Sequence, residues 1–153
     1  MKKTCFLIAF ATLTSSAFGA TQAELILKGI VAPVLDISIA HETVSSNLDL
    51  SAPAPGIKVA TLTEKTNYHT GYKVKAKSKN GGKLVNVNDV SSFVNYSLTY
   101  NGLVVPLSTS PTQVASHNQK GTYTKDLKIS YNQPSGLSAG VHEDEVQFTI
   151  EAN

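Results

Sequence analysis

Apolar and polar residues alternate with a period of two over much of the chain after residue 22. This alternation is typical of strands with one buried face. The runs are short, and glycine, proline and asparagine separate them. A helical period of 3.6 residues persists nowhere beyond the first 20 residues. The pattern therefore predicts an all-β protein, an antiparallel sandwich of immunoglobulin-like type with eight or nine short strands.

The predicted strands are bounded by recognisable turns and loops. Asn80-Gly81-Gly82 and Asn101-Gly102 are hairpin-turn sequences, and residues 41–56, 108–121 and 132–140 are polar loops. The strand-like runs, in chain order, are 23–31, 33–40, 57–62, 68–78, 83–87, 93–100, 103–107, 123–131 and 146–150.

The first residues have the layout of a secretory signal peptide. Lys2 and Lys3 precede a short apolar run at 5–13, and small residues at 15–17, 19 and 20 favour cleavage after Gly19. The predicted organisation is a signal peptide at 1–19, an N-terminal extension at 20–32 and one domain at 33–153. Removal of residues 1–19 also removes the single cysteine, so disulfides and thiolate metal sites are excluded.

Charge and motifs argue against catalysis and against nucleic-acid binding. The chain has no arginine, and its 13 lysines, less Lys2 and Lys3, balance 11 acidic residues. No G-x-S-x-G elbow and no glycine-rich phosphate loop is present, so we expect no enzyme activity and no cofactor. Four scattered histidines are expected to be solvated surface groups without a metal: His41, His69, His117 and His142.

Two charged clusters allow more than one interpretation. Lys73, Lys75, Lys77 and Lys79 share one strand face; they form a solvated or edge-protecting row, or a contact for an anionic surface. The acidic run 142–145 (HEDE) is a turn entering the last strand with Glu143 and Glu145 exposed, or part of a calcium site. In both cases the first interpretation is favoured.

The run 23–31 is strongly apolar although it follows the predicted cleavage site closely. One face carries Leu25, Leu27, Gly29 and Val31. Burying the three large side chains would contribute roughly 5–9 kcal/mol. The run is either the first strand of its own domain or a strand that completes a neighbouring one.

Both ends of the chain resemble subunits of chaperone–usher fimbriae. Residues 27–31 (LKGIV) resemble the N-terminal donor strand of these pilins, and residues 32–36 (APVLD) resemble the segment that follows it in cysteine-free fimbriae of the alpha, or colonization-factor, type. Residues 137–150 (LSAGVHEDEVQFTI) resemble the closing run of fimbrial and spore-coat-U-like subunits, with His142 in place of the usual aromatic residue.

The resemblance implies an incomplete sandwich that lacks its last strand. The resemblance also implies donor-strand exchange: a periplasmic chaperone supplies the missing strand during transport, and the N-terminal extension of the next subunit then replaces it. Leu25, Leu27, Gly29 and Val31 would be the donor residues, and Val146, Phe148 and Ile150 would wall the acceptor groove. The implied partners are identical or related pilins, the chaperone, an outer-membrane usher and a host or surface receptor. The implied location is the cell surface, with a role in adhesion or biofilm.

A self-contained secreted β-sandwich that binds carbohydrate or a surface is the alternative function. Such a module would be monodisperse with its N-terminus intact, whereas a pilin deprived of its extension should be rescued by a peptide of residues 22–32.

Overall fold

The computed structural model describes residues 21–153, so the predicted signal peptide at 1–19 lies outside the described residues. Residues Ala32–Asn153 form one compact unit, and the residues before Ala32 are described separately below. The described residues form eleven strands and one short 3-10 turn at Thr43–Ser46. The strands are β1 (Leu35–His41), β2 (Ala54–Thr66), β3 (Tyr72–Ser78), β4 (Lys83–Asn86), β5 (Phe93–Asn95), β6 (Ser97–Tyr100), β7 (Leu103–Val104), β8 (Thr112–His117), β9 (Gly121–Tyr131), β10 (His142–Glu143) and β11 (Val146–Ala152).

The strands form antiparallel sheets that pack face to face, which confirms the predicted all-β, immunoglobulin-like class. One sheet has the order β1-β2-β9-β6-β7, and two three-stranded sheets have the orders β11-β3-β8 and β10-β4-β5. The order β1-β2-β9-β6 corresponds to strands A-B-E-D of an immunoglobulin sandwich, and β3-β11 corresponds to C-F. We call the end at Ala54 and Tyr131, where β2 begins and β9 ends, the upper end, and the end at Thr66 and Gly121 the lower end.

The core lies between the sheets and follows the predicted alternation. On β3, Tyr72, Val74 and Ala76 are fully buried, while the lysines between them face outward. Buried side chains of β2, β6 and β9 pack against this row, among them Leu62, Leu98 and Leu127. A second cluster fills the upper half of the sandwich with side chains of Ala54, Leu84, Val94, Ile129 and Tyr131.

Several predicted boundaries are wrong because tertiary pairing decides them. Residues 23–31 have no regular secondary structure, since a strand forms only where its backbone finds a ladder partner. The predicted loop 108–121 contains β8, a mostly polar strand that pairs with β3. The pairing register shifts between Val74 and Lys75 of β3, which marks a β-bulge. The run 93–100 divides at Tyr96, where the chain leaves β5 in one sheet and enters β6 in another.

Two further boundaries differ at strand ends. The predicted loop 41–56 ends earlier, since β2 already begins at Ala54, a buried residue paired with Tyr131. The returning strand predicted at 103–107 is only Leu103–Val104. The turn before it is confirmed: Asn101 and Gly102 have positive φ angles of 49° and 84°, as the tight hairpin turn requires.

Candidate functional site

The outer edges of β1 and β11 face one groove along the sandwich. β1 pairs with β2 on one side and β11 pairs with β3 on one side; among residues 21–153 no strand pairs with the other edge of either. The two strands approach each other to within 8 Å between Cα atoms in places but share no ladder. In the immunoglobulin order, the outer edge of β11 is where strand G would pair with strand F.

Apolar rows from both strands flank the groove. Each strand alternates half-buried and exposed residues, and the half-buried ones pack against the core. Side chains of such large apolar residues are usually buried completely inside a sandwich, whereas those of these two rows are only half covered. The rows are Leu35, Ile37 and Ile39 on β1, and Val146, Phe148 and Ile150 on β11.

A cavity of about 330 Å³ opens between these rows into the core. Its walls include Ile39, Val146 and Phe148, and Leu98 and Leu127 belong to its floor. A second and larger cavity of about 690 Å³ continues it at the upper end. The two share lining residues, so they form one groove that follows β1 and the segment β10–β11: Ser45, Ser46, Leu48, Leu84 and Asp144.

Asp144 fixes the upper part of this groove. Its carboxylate accepts hydrogen bonds from the Ser78 hydroxyl at 2.5 Å, the Tyr96 hydroxyl at 2.7 Å and the Asn80 backbone N–H at 2.9 Å. Burial, and next the hydrogen bond from its hydroxyl to Asp144, raise the pKa of the Tyr96 phenol well above its usual range. Asp144 therefore holds the start of β11 in place, which explains the acidic run as a structural element.

Glu143 and Glu145, on either side of Asp144, are exposed as predicted. Within residues 21–153, no group of three or more histidine, cysteine, aspartate or glutamate side chains is placed to hold a metal ion. The described residues also contain no helix that is long and apolar enough to cross a membrane.

The residues before Ala32, taken by themselves, present their apolar side chains to solvent. Five large ones are between 80% and 86% exposed: Leu25, Ile26, Leu27, Ile30 and Val31. A Cβ atom added to Gly29 would meet nothing within 4 Å. Contiguous exposed apolar side chains of this kind mark an interaction site or an aggregation hazard.

The structure thus distributes the predicted site residues over two places. Val146 and Phe148 line the groove, and Ile150 continues their row toward the lower end. Leu25, Leu27, Gly29 and Val31 lie in the separate exposed segment. The β1 wall was not among the predicted groove residues, although Leu35, Ile37 and Ile39 show the same alternation.

A buried polar cluster at the lower half of the core is a second feature that sequence analysis missed. Glu64 is fully buried and accepts hydrogen bonds from the Tyr72 hydroxyl at 2.6 Å and the Tyr100 hydroxyl at 2.5 Å. His117 Nε2 lies 3.7 Å from the Glu64 carboxylate, and its ring stacks on Tyr123. Burial, and next the bond to Glu64, raise the pKa of both Tyr72 and Tyr100 far above the usual value.

The expectation that every histidine is a solvated surface group is therefore wrong for His117, which is packed among aromatic rings because the end of β8 lies over β3. His142 is also half-buried and contacts Ser92 at 3.2 Å, whereas His41 and His69 are exposed.

The lysine row lies on the central strand of its sheet. β3 is paired on both sides, by β11 and β8, so the row does not protect a sheet edge. Lys75 forms an ion pair with Glu151 at 2.7 Å, and Lys77 and Lys79 are exposed. The row forms a solvated face of the sandwich.

Comparison with known proteins adds a structural similarity. No protein-family model matches the sequence, and no curated protein matches it. Among solved structures, the chain is similar to the CooA pilin subunit from enterotoxigenic Escherichia coli, with 18% identity and a TM-score of 0.43, over 76% of this chain and 89% of that chain. The groove and the exposed segment, and not this similarity, carry the proposal that follows.

Proposed function

We propose that this chain is a structural subunit of a surface fimbria that polymerises by donor-strand exchange. Residues 20–32 of one copy enter the groove of the preceding copy and pair with its strand edges. One observation carries the proposal: the same chain holds an apolar groove between two outer edges and an exposed apolar segment with strand alternation. The polymer serves adhesion or biofilm formation at the cell surface.

The dimensions of the segment suit the groove. Nine residues of extended chain, 23–31, span about 30 Å, and each groove wall offers a strand of seven residues, or about 23 Å. A strand inserted between β1 and β11 needs them about 9.6 Å apart, twice the usual spacing. The two strands are closer than this in places, so the groove is expected to widen when it is filled.

Side-chain chemistry favours one face of the segment. Leu25, Leu27 and Val31 would cover the half-buried rows of the groove and contribute roughly 5–9 kcal/mol together. Gly29 shares their face and has no side chain, which lets the backbone approach the groove closely. Lys28 and Glu24 lie on the opposite face and would stay in water.

The need for a strand also explains the proposed partners. An apolar groove with two outer edges would aggregate if it were left open during export. A periplasmic chaperone that adds a strand of its own protects it, and an outer-membrane usher exchanges that strand for the next subunit. This mode of recognition is strand addition to a sheet edge.

Trans-complementation tests the proposal. A chain that lacks residues 20–32 is mixed with a synthetic peptide of residues 22–32, and the thermal midpoint of unfolding is followed. At a peptide concentration 100 times its Kd we expect a stabilisation of about 2.7 kcal/mol. A scrambled peptide of the same composition should leave the midpoint unchanged.

The intact chain should form a ladder of multimers in size-exclusion chromatography with light scattering. A stable monomer in which residues 23–31 pair with the chain's own β11 would contradict the proposal. Such a monomer would favour the self-contained binding module instead.

A further inference from the structure

We infer that three exposed valines at the upper end of the domain form a contact surface for the next copy of the chain in the polymer. We call Val87, Val90 and Val141 the valine patch. The inference rests on the proposed function and extends it, because it names a contact between folded domains in addition to the inserted strand.

The valine patch belongs to two adjoining segments. The Val87 N–H donates to the Val141 carbonyl at 2.9 Å and extends the Asn86–His142 pairing by one position. Residues opposite each other in an antiparallel pair project on the same face of a sheet. The three valines are 50% to 82% exposed. Grouped exposed apolar side chains at one place mark an interaction surface.

Hydrogen bonds hold the loop that carries Val90. Asp89 accepts from the Ser138 hydroxyl at 2.5 Å and from the Ser91 hydroxyl at 2.6 Å. The Ser138 N–H donates in turn to the Ser92 hydroxyl at 2.9 Å. The loop is thereby tied to the segment before β10, so the exposure of Val90 is built into the fold. A surface fixed in this way loses little conformational entropy on binding.

The patch is continuous with the groove, since Val141 lines the upper cavity. A donor strand that runs antiparallel to β11 leaves the groove at this end, because β11 runs from the upper toward the lower end. Antiparallel pairing is also the more stable arrangement per residue. The donor's last residue, Val31, therefore emerges beside the patch.

Residues 32–34 join the donor segment to its own domain, and this connection is short enough to determine which surface contacts the valine patch. The Asn67 side chain binds the Ala32 carbonyl at 2.8 Å and the Val34 N–H at 2.7 Å, which anchors the start of each domain at its lower end. Residues 32–34 can span only about 10 Å. The lower end of the next copy must then lie against the upper end of the copy that accepts its strand.

A parallel insertion would put two lower ends together, and the acceptor's own extension also starts there. The antiparallel direction instead gives one head-to-tail contact that repeats without limit, as a fibre requires. The ends also suit each other in charge: exposed Glu143 lies beside the valine patch, and exposed Lys120 lies at the lower end next to Gly121.

The test compares Val90→Lys with Val104→Lys in the full mature chain. Val104 is 70% exposed, against 82% for Val90, and lies on β7 at the edge of the five-stranded sheet opposite β1, so it serves as the control. For each variant we measure the concentration at which polymer appears, by light scattering, and the affinity for the 22–32 peptide. We expect Val90→Lys to raise that concentration about tenfold, the equivalent of one lost buried valine, with the peptide affinity unchanged within twofold. Val104→Lys should match the wild type in both measurements.

Polymerisation of Val90→Lys at the wild-type concentration, with normal peptide binding, would overturn the valine patch and leave donor-strand exchange intact. A wild-type chain that neither polymerises nor binds the peptide would overturn both. The double variant Val87→Lys/Val90→Lys should shift the polymerisation concentration further, and an unchanged value would also refute the patch.

Discussion

Shortening Leu27 should weaken strand insertion much more than shortening its neighbour Ile26. Both side chains are at least 80% exposed in the free chain, so both are equally dispensable for the folding of their own domain. They point to opposite faces of an extended backbone. In a filled groove, Leu27 faces the core of the acceptor and Ile26 faces outward. Comparison of the two substitutions therefore distinguishes insertion of one face from nonspecific apolar binding.

The expected size follows from the geometry of the groove. Truncation of a buried leucine to alanine costs about 2–5 kcal/mol, and the lower value applies here because the groove is shallow and open to water on one side. A loss of about 2 kcal/mol is an affinity loss of about 30-fold. Ile26→Ala removes a side chain that stays exposed, so a change within about 0.5 kcal/mol, or about twofold, is expected.

The assay uses the 22–32 peptide, so that the folding of the acceptor is never altered. Fluorescence anisotropy of labelled wild-type, Leu27→Ala and Ile26→Ala peptides is titrated with the chain that lacks residues 20–32. In parallel, the same substitutions in the mature chain should leave the free energy of unfolding of a dilute sample within about 0.5 kcal/mol of the wild type.

Equal losses for the two peptides would refute the reasoning, because they would show that the segment binds by unspecific apolar contact. A larger loss for Ile26→Ala would show that the segment inserts with the opposite face. Unchanged binding by both would remove the groove as the acceptor site.

The remaining predictions concern the glycine and the buried carboxylate. Gly29→Leu should abolish polymer formation in light scattering while the denaturation midpoint of the free chain stays the same, since a Cβ there meets nothing within 4 Å in the chain itself; normal polymers would count against the donor strand. Glu64→Leu leaves the buried Tyr72 hydroxyl without an acceptor, whereas the Tyr100 hydroxyl still lies 3.4 Å from His117 Nε2, so the loss in chemical denaturation should be about 1–3 kcal/mol, and Tyr72→Phe in that background should recover part of it; no loss would contradict the cluster. Because burial raises the pKa of Tyr72 and Tyr100 in the folded state, the unfolded chain releases these protons first, so stability is complete below about pH 10 and falls as the pH rises above it; phenolate absorbance of the folded chain that matches free tyrosine for all six tyrosines would exclude this.

Period-two alternation was sufficient to predict the strands that bury one face. On β3 the apolar residues Tyr72, Val74 and Ala76 point to the core, and on β11 the row that begins at Val146 points to the groove. In these strands the side chains themselves decide which face is buried, so the pattern along the chain contains the answer. The same holds for the turn at Asn101-Gly102, whose residues tolerate positive φ.

The features that sequence analysis missed depend on partners that are distant in the chain. β8 is a strand because its backbone pairs with β3, and its polar composition indicates a loop when it is considered alone. Glu64 has an alternation position that predicts an apolar residue, and it is accepted there only because Tyr72 and Tyr100 bring their hydroxyls to it. No local pattern contains either of these contacts.

Some sheet edges in this fold are protected against pairing with another chain and others are not, and this difference supports strand insertion. β7 is two residues long and β5 three, and β8 carries a bulge; short and bulged edge strands resist pairing with another chain. Among residues 21–153, the long outer edges with regular alternation are those of β1 and β11, seven residues each. Both face the same apolar groove. A protein under selection only to remain monomeric would be expected to protect these two edges first, because they are the longest and the most apolar. Protection of the other edges combined with openness here restricts strand addition to one place, and this restriction would turn unspecific aggregation into a polymer with a single repeating contact.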